Sequence, residues 1–342
     1  MNILNLRHGP ARAAVSAMAA VAAMALGGLM SAHASDPAAP SPVLLAQPAE
    51  QTRHAIHAPL LGVAHAGQRI VAVGGHGIVL LSDDGGQSYR QATLVPVRAT
   101  LNAVHFTDAA SGWAVGHWGA ILRTIDGGLT WQVQRLDTKV DQPLFSVYFR
   151  DAAHGWAVGL WSLMLHTSDG GKTWRRLELP APPGAKGADA NLYAVFSGGP
   201  GTLIVAAERG RILRSTDEGA TWRYVETGYQ GSFWAGTRLA SGTLLAGGLK
   251  GTIYRSADGG ASWAPVASPA KSSVTAFREG GGKIYATALD GVLLTSTDDG
   301  KSFSASQRDD RLPLTAAAGG AKGELLLYSK SGVVPAEAGA GP

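Results

Sequence analysis

The chain has 342 residues, 45% of them apolar and only 16% charged, with 46 glycines, nine tryptophans and no cysteine. That apolar fraction excludes a disordered chain, and the missing cysteine excludes disulfides, thiol catalysis and cysteine-based metal sites. The net charge of +4 falls to about +2 once an N-terminal leader carrying Arg7 and Arg12 is set aside, and no Lys/Arg run stands out, so nothing points to nucleic acid.

In chain order, the leader comes first. Arg7, His8 and Arg12 precede an Ala- and Met-rich apolar run over residues 13–30, and Ala32-His33-Ala34 offers the small residues a signal peptidase reads. The expectation is a signal peptide over residues 1–34, cleaved near Ala34, and hence a periplasmic or secreted protein. Residues 35–57 read as an irregular segment.

From about residue 58 the chain repeats. Six segments fit [ST]-x-D-x-G-x-[ST]-aromatic: SDDGGQSY at 82–89, TIDGGLTW at 124–131, TSDGGKTW at 167–174, STDEGATW at 215–222, SADGGASW at 256–263 and STDDGKSF at 296–303. Their aspartates are Asp84, Asp126, Asp169, Asp217, Asp258 and Asp298, spaced by 42, 43, 48, 41 and 40 residues. A short carboxylate in a turn accepts hydrogen bonds from backbone N–H groups, and the glycine two residues on supplies a positive φ. The aromatic, which is Trp131, Trp174, Trp222 or Trp263 in four copies, starts a return strand and covers the hairpin. Six equivalent copies cannot all be one active site, and a DxG turn lacks the oxygen count that calcium takes. These Asp-box residues are structural.

A second hairpin precedes each Asp box: VAVGGHGI at 71–78, WAVGHWGA at 113–120, WAVGLWSL at 156–163, VAAERGR at 205–211, LAGGLKGT at 245–252 and YATALDGV at 285–292. Upstream of each lies an apolar stretch. Each unit of about 43 residues therefore holds four short strands, A to D, and four antiparallel strands repeated radially make an all-β propeller. Residues 35–342 hold about seven such units. After Phe303 the pieces 314–317, 325–328 and 332–334 form a seventh blade without an Asp box, closed by both termini, with residues 42–46 or 55–57 as its outer strand. A ring of six blades is the alternative. The propeller should span residues 58–334, with 335–342 as a flexible tail.

Strand order sorts the loops. The C–D turns carry the Asp boxes on one face. The B–C turns and the D–A links occupy the other, and there the units differ. Scaffold positions must repeat whereas recognition positions need not, so the candidate partner-binding residues are His76, His117, Trp118, Trp161, Arg209 and Lys250. Paired tryptophans in adjacent blades suit a protein partner or a sugar. His76 and His117 find no third ligand, so no metal and no cofactor are implied.

The six Asp boxes, with GWAVG at residues 112–116 and 155–159, resemble the photosystem II assembly and stability factor family of BNR-like propellers. The resemblance covers about residues 58–334. It implies a non-enzymatic, exported or lumenal factor that helps assemble or stabilise a membrane protein complex. The chain is expected to act as a monomer that is peripheral to the membrane at most. Two other function classes share the Asp box. A sialidase-type glycoside hydrolase needs a cluster of three arginines beside a Tyr–Glu pair, and Arg98, Arg150 and Arg238 are the candidates. A carbohydrate-binding module would need none of these.

Overall fold

The computed structural model describes residues 46–184 and 186–335. The expected signal peptide, residues 42–45 and the expected tail from 336 lie outside the described residues. Seven antiparallel sheets form a ring, a seven-bladed β-propeller. Among the described residues no helix is long and apolar enough to cross a membrane.

Blade 2 shows the pattern: strand A Leu101–Phe106, B Gly112–Gly116, C Ile121–Thr124 and D Gln132–Arg135. Strand B is buried along its whole length in blades 2, 3 and 5, as GWAVG is in blades 2 and 3, and in all but its first residue in blades 1 and 4. It lies in the middle of a blade with another blade on each side, so both faces are apolar. Strand D is short or polar (Arg90–Gln91, Arg175–Arg176, Ser304–Gln307), which leaves no adhesive outer edge.

Each Asp box closes on itself. In blade 3 the Thr167 hydroxyl donates to Asp169 Oδ1 (2.8 Å) and accepts from the Gly171 N–H (2.8 Å). Thr173 donates its N–H to Oδ1 (2.9 Å) and its hydroxyl to Oδ2 (2.6 Å). The same four bonds recur around Asp84, Asp126, Asp217, Asp258 and Asp298. The leading Ser or Thr is thus as much a part of the motif as the aspartate. Trp131, Trp222, Trp263 and Phe303 are buried, worth roughly 1.5–3 kcal/mol per ring.

The boxes also join blades. A Cβ at Gly219 would stand 2.6 Å from Trp156 Nε1 in the preceding blade, so only glycine lets the turn approach. Arg69 donates to the Gly127 carbonyl (3.1 Å), Trp113 to that of Gly170 (3.2 Å), Arg214 to that of Gly259 (2.8 Å) and Arg255 to that of Asp299 (2.9 Å). Each bond runs from one blade to the Asp-box turn of the next.

Blade 7 is the exception. It has three strands, Leu314–Gly319, Leu325–Ser329 and Gly332–Val333. Ala55–His57, one candidate for its outer strand, is a 3-10 turn against the third strand, not a strand itself. Closure comes instead from side chains. Thr315 donates to the Leu60 carbonyl (2.5 Å), the Tyr89 and Tyr328 hydroxyls meet at 2.9 Å, and Ala55 and Leu60 share a core with Ala316 and Tyr328.

Candidate functional site

One backbone bond fixes which loops share a face. In each blade an N–H of the B–C turn donates to the residue just before strand A: Gly75 to Pro59, His117 to Thr100, Leu160 to Pro143, Glu208 to Asn191, Leu249 to Ser232, Leu289 to Ser273 and Lys330 to Pro313. The B–C turns therefore cluster where the strands A begin. The Asp boxes sit at the other end with the A–B turns, as in Gly127 N–H to Ala110 O and Gly170 N–H to Ala153 O. The two faces separate as the strand order requires.

The B–C turns carry an unusual backbone. Their tip residues are His76 (φ 55°), Trp118 (58°), Trp161 (53°), Arg209 (56°), Lys250 (57°) and Asp290 (61°). All six are left-handed and none is glycine. Glycine takes this conformation freely; a side chain there costs about 1 kcal/mol or more, most for bulky residues. Five of the six residues picked from sequence variation occupy these tips. The sixth, His117, stands beside one.

The structure treats the two tryptophans differently. Trp161 is 53% exposed, and its N–H donates to Asn191 Oδ1 (3.1 Å). Trp118 is half-buried against the core between blades 1 and 2. Its N–H donates to Asp141 Oδ1 (2.7 Å), while His117 Nδ1 lies 3.0 Å from Asp141 Oδ2. Gln142, next in the same link, donates to the Leu160 carbonyl (2.8 Å), so residues 141–142 tie the turns of blades 2 and 3 together. Asn191 donates to Glu208 (2.8 Å), and Arg209 lies 3.7 Å from the same carboxylate. His76 and Lys250 are exposed. Among the described residues no group of three or more His, Asp or Glu is placed to hold a metal ion.

Sequence reasoning missed the channel. Every strand A carries a β-bulge at its second residue, which is left out of the ladder: Leu61, Asn102, Phe145, Tyr193, Trp234, Thr275 and Thr315. A bulge re-aims a side chain, and all seven line one central cavity of about 270 Å³. The first residue of each strand A is fully buried and apolar. The available signal was an invariant apolar residue followed by a variable one at the head of each unit.

The three arginines do not converge. Arg150 and Arg238 line a second cavity of about 270 Å³ on the Asp-box face, with Tyr148 and Glu218. Arg150 is already paired with Glu218 at 2.8 Å and with Asp151. Arg98 lies in the link after blade 1, paired with Glu50 at 2.9 Å.

Residues 90–274 match the family described as photosynthesis system II assembly factor YCF48. No curated protein matches the chain. Among solved structures, a YCF48 bound to D1 peptide is 18% identical, with a TM-score of 0.65 over 83% of this chain and 94% of that one. YCF48 from Cyanidioschyzon merolae is 17% identical, with a TM-score of 0.63 over 83% and 96%. Virginiamycin B lyase from Staphylococcus aureus is 12% identical, with a TM-score of 0.65 over 84% and 96%. At these identities the structural likeness speaks for the propeller fold alone.

Proposed function

As this chain belongs to the photosynthesis system II assembly factor YCF48 family, we propose that it is an exported, non-catalytic scaffold that assembles or stabilises a membrane-associated protein complex. Its partner is a protein, held on the B–C face by His76, His117, Trp118, Trp161, Arg209 and Lys250. One observation carries this reading: six non-glycine side chains stand at left-handed turn tips where glycine would fit at lower cost. Strain that the fold does not need points to a use for the side chain. The related YCF48 bound to D1 peptide holds a protein segment, which is the class of ligand proposed here.

The non-catalytic part is supported by the scattering of Arg98 from Arg150 and Arg238, and by the ion pairs that occupy Arg150. Export rests on the leader sequence. N-terminal sequencing of the protein from a cell fraction outside the cytoplasm should begin at Ser35; recovery of an intact leader in the cytoplasm would count against it. For the partner, a crosslinking pull-down from native membranes should yield a defined complex. The double variant Trp118→Ala/Trp161→Ala should lose most of that yield while staying folded, its thermal transition lowered by the loss of Trp118 packing but still cooperative. An unchanged yield would place the partner elsewhere.

A further inference from the structure

Of the seven bulged residues at the channel mouth, Leu61 of blade 1 is aliphatic and the other six divide into two kinds. In blades 2, 6 and 7 they are Asn102, Thr275 and Thr315, and each donates to the carbonyl at the head of the next strand A: Leu144 (2.8 Å), Leu314 (2.9 Å) and Leu60 (2.5 Å). These three act as latches between blades. In blades 3, 4 and 5 the same position is Phe145, Tyr193 and Trp234. None of these three side chains bonds to the carbonyl at the head of the next strand A, so consecutive blades forgo the latch and hold three half-buried rings at the mouth instead. The Phe145 and Tyr193 rings are stacked, 5.5 Å apart and 24° from parallel. Nearly parallel rings at that spacing leave no slot between them. They form a platform for something flat or apolar, not a cage around a cation.

The surroundings of the platform narrow its ligand. The mouth opens on the B–C face, because strand A begins there. Above blades 4 and 5 stand Arg209 and Lys250, both exposed. Glu208, the acid nearest Arg209, is engaged by Asn191 and by Arg209 itself. Lys250 makes no ion pair among the described residues. Trp161 adds an exposed ring on blade 3, its backbone N–H held by Asn191, two residues before Tyr193. The Thr275 and Thr315 hydroxyls and one N–H of Asn102 across the mouth are engaged in latches, so the mouth offers a sugar's hydroxyls few partners beside the apolar ring faces.

We infer that the aromatic arc of Phe145, Tyr193 and Trp234 is the anchor point for an extended segment of a protein partner, which seats an aromatic or leucine-sized side chain on the rings and sets flanking carboxylates against Arg209 and Lys250. The inference rests on the proposed partner-binding role of this face and gives that partner a chemistry. A ring or leucine side chain is desolvated on the platform, and the carboxylates steer and orient the segment.

The test uses the full chain and three short labelled peptides followed by fluorescence anisotropy. One has phenylalanine flanked by two aspartates and glutamates on each side, one has alanine at the centre, and one keeps phenylalanine but is flanked by lysines. The acidic phenylalanine peptide should bind about 10-fold tighter than either other, a difference of about 1.4 kcal/mol. Trp234→Ala and Phe145→Ala should each weaken it by about that factor, and Trp234→Phe should restore most of it. Thermal melts of each variant separate lost binding from lost fold. Equal binding of the phenylalanine and alanine peptides, no binding of any peptide, or indifference to Trp234→Ala in a folded variant overturns the inference. The membrane pull-down is independent. A captured complex with no peptide preference sinks the anchor and leaves the scaffold reading. Peptide preference without a captured complex does the reverse.

Discussion

At the scale of residues, the Asp box is a closed network whose least conspicuous member is decisive. Thr167 is 1% exposed and is the only partner shown for the buried Gly171 N–H. Thr167→Val keeps shape and burial but leaves that N–H unsatisfied, and should cost about 1–3 kcal/mol in urea unfolding. A loss near zero would mean that water replaces the hydroxyl. The carboxylates report on the same network through pH. Hydroxyl and N–H donors hold Asp84, Asp169 and Asp217 down to about 2. A lowered folded pKa adds stability that is complete above the unfolded value, about 3.9, and vanishes as pH falls through about 2. His105 acts higher up. Burial pulls its imidazole down to about 4, so its share is complete above about 6.5 and is lost as pH falls toward 4. Melting temperature should therefore fall in two stages on acidification, and His105→Phe should lessen only the upper one, which His65 and His166, also lowered by burial, share. A single-stage decline, unchanged by that substitution, would contradict both assignments.

At the scale of elements, the six equal blades were legible because one hairpin demands the same residues each time: a hydroxyl, a carboxylate, a glycine and a ring. The seventh was legible only as leftover strand-like pieces. It has no Asp box, its third strand is two residues long, and Pro335 ends that strand by removing an N–H donor. As a result Leu325, Leu326 and Leu327 are half-exposed, where strands B of blades 2, 3 and 5 are buried throughout. The 325–333 hairpin should therefore exchange its amide hydrogens well before the hairpins of blades 2 to 5. Hydrogen-exchange mass spectrometry would refute this if blade 7 were as protected as blade 3. The bulged channel positions left only a faint mark in the sequence, a variable residue after an apolar one, and nothing in it gave their direction. Alternation in strand A is broken at its second residue, and only pairing with strand B shows that Phe145, Tyr193 and Trp234 leave the ladder toward the axis. The variable tips were legible as variation; their strain was not, because nothing in GHWG or GLWS gives the sign of φ.

At the scale of the molecule, the ring has no disulfide to hold it and depends on meeting itself. The seam between blades 7 and 1 is built from Thr315 on the Leu60 carbonyl, the Tyr89–Tyr328 hydroxyl pair and the core around Leu60, Ile70, Leu80 and Tyr328. The other junctions are also bridged by hydrogen bonds from one blade to the next, such as Arg69 to Gly127, Val195 to Ser146, Arg214 to Gly259 and Arg255 to Asp299, so the seam is no weaker in kind, yet it joins residues 255 positions apart in sequence for its first bond. Such a contact forms late and rewards the chain only once all other blades are in place. Removing residues 314–342 deletes the seventh blade and leaves one apolar flank of blade 1 uncovered. The truncated chain should then lose its single sharp thermal transition and associate through the exposed flanks, as size-exclusion chromatography would register. Tyr328→Phe combined with Thr315→Val is the graded version. It should keep a closed monomer and unfold about 1–3 kcal/mol sooner. A truncated chain that stayed monomeric and melted as sharply as the whole would show that six blades hold themselves together, and that closure is not what stabilises this ring.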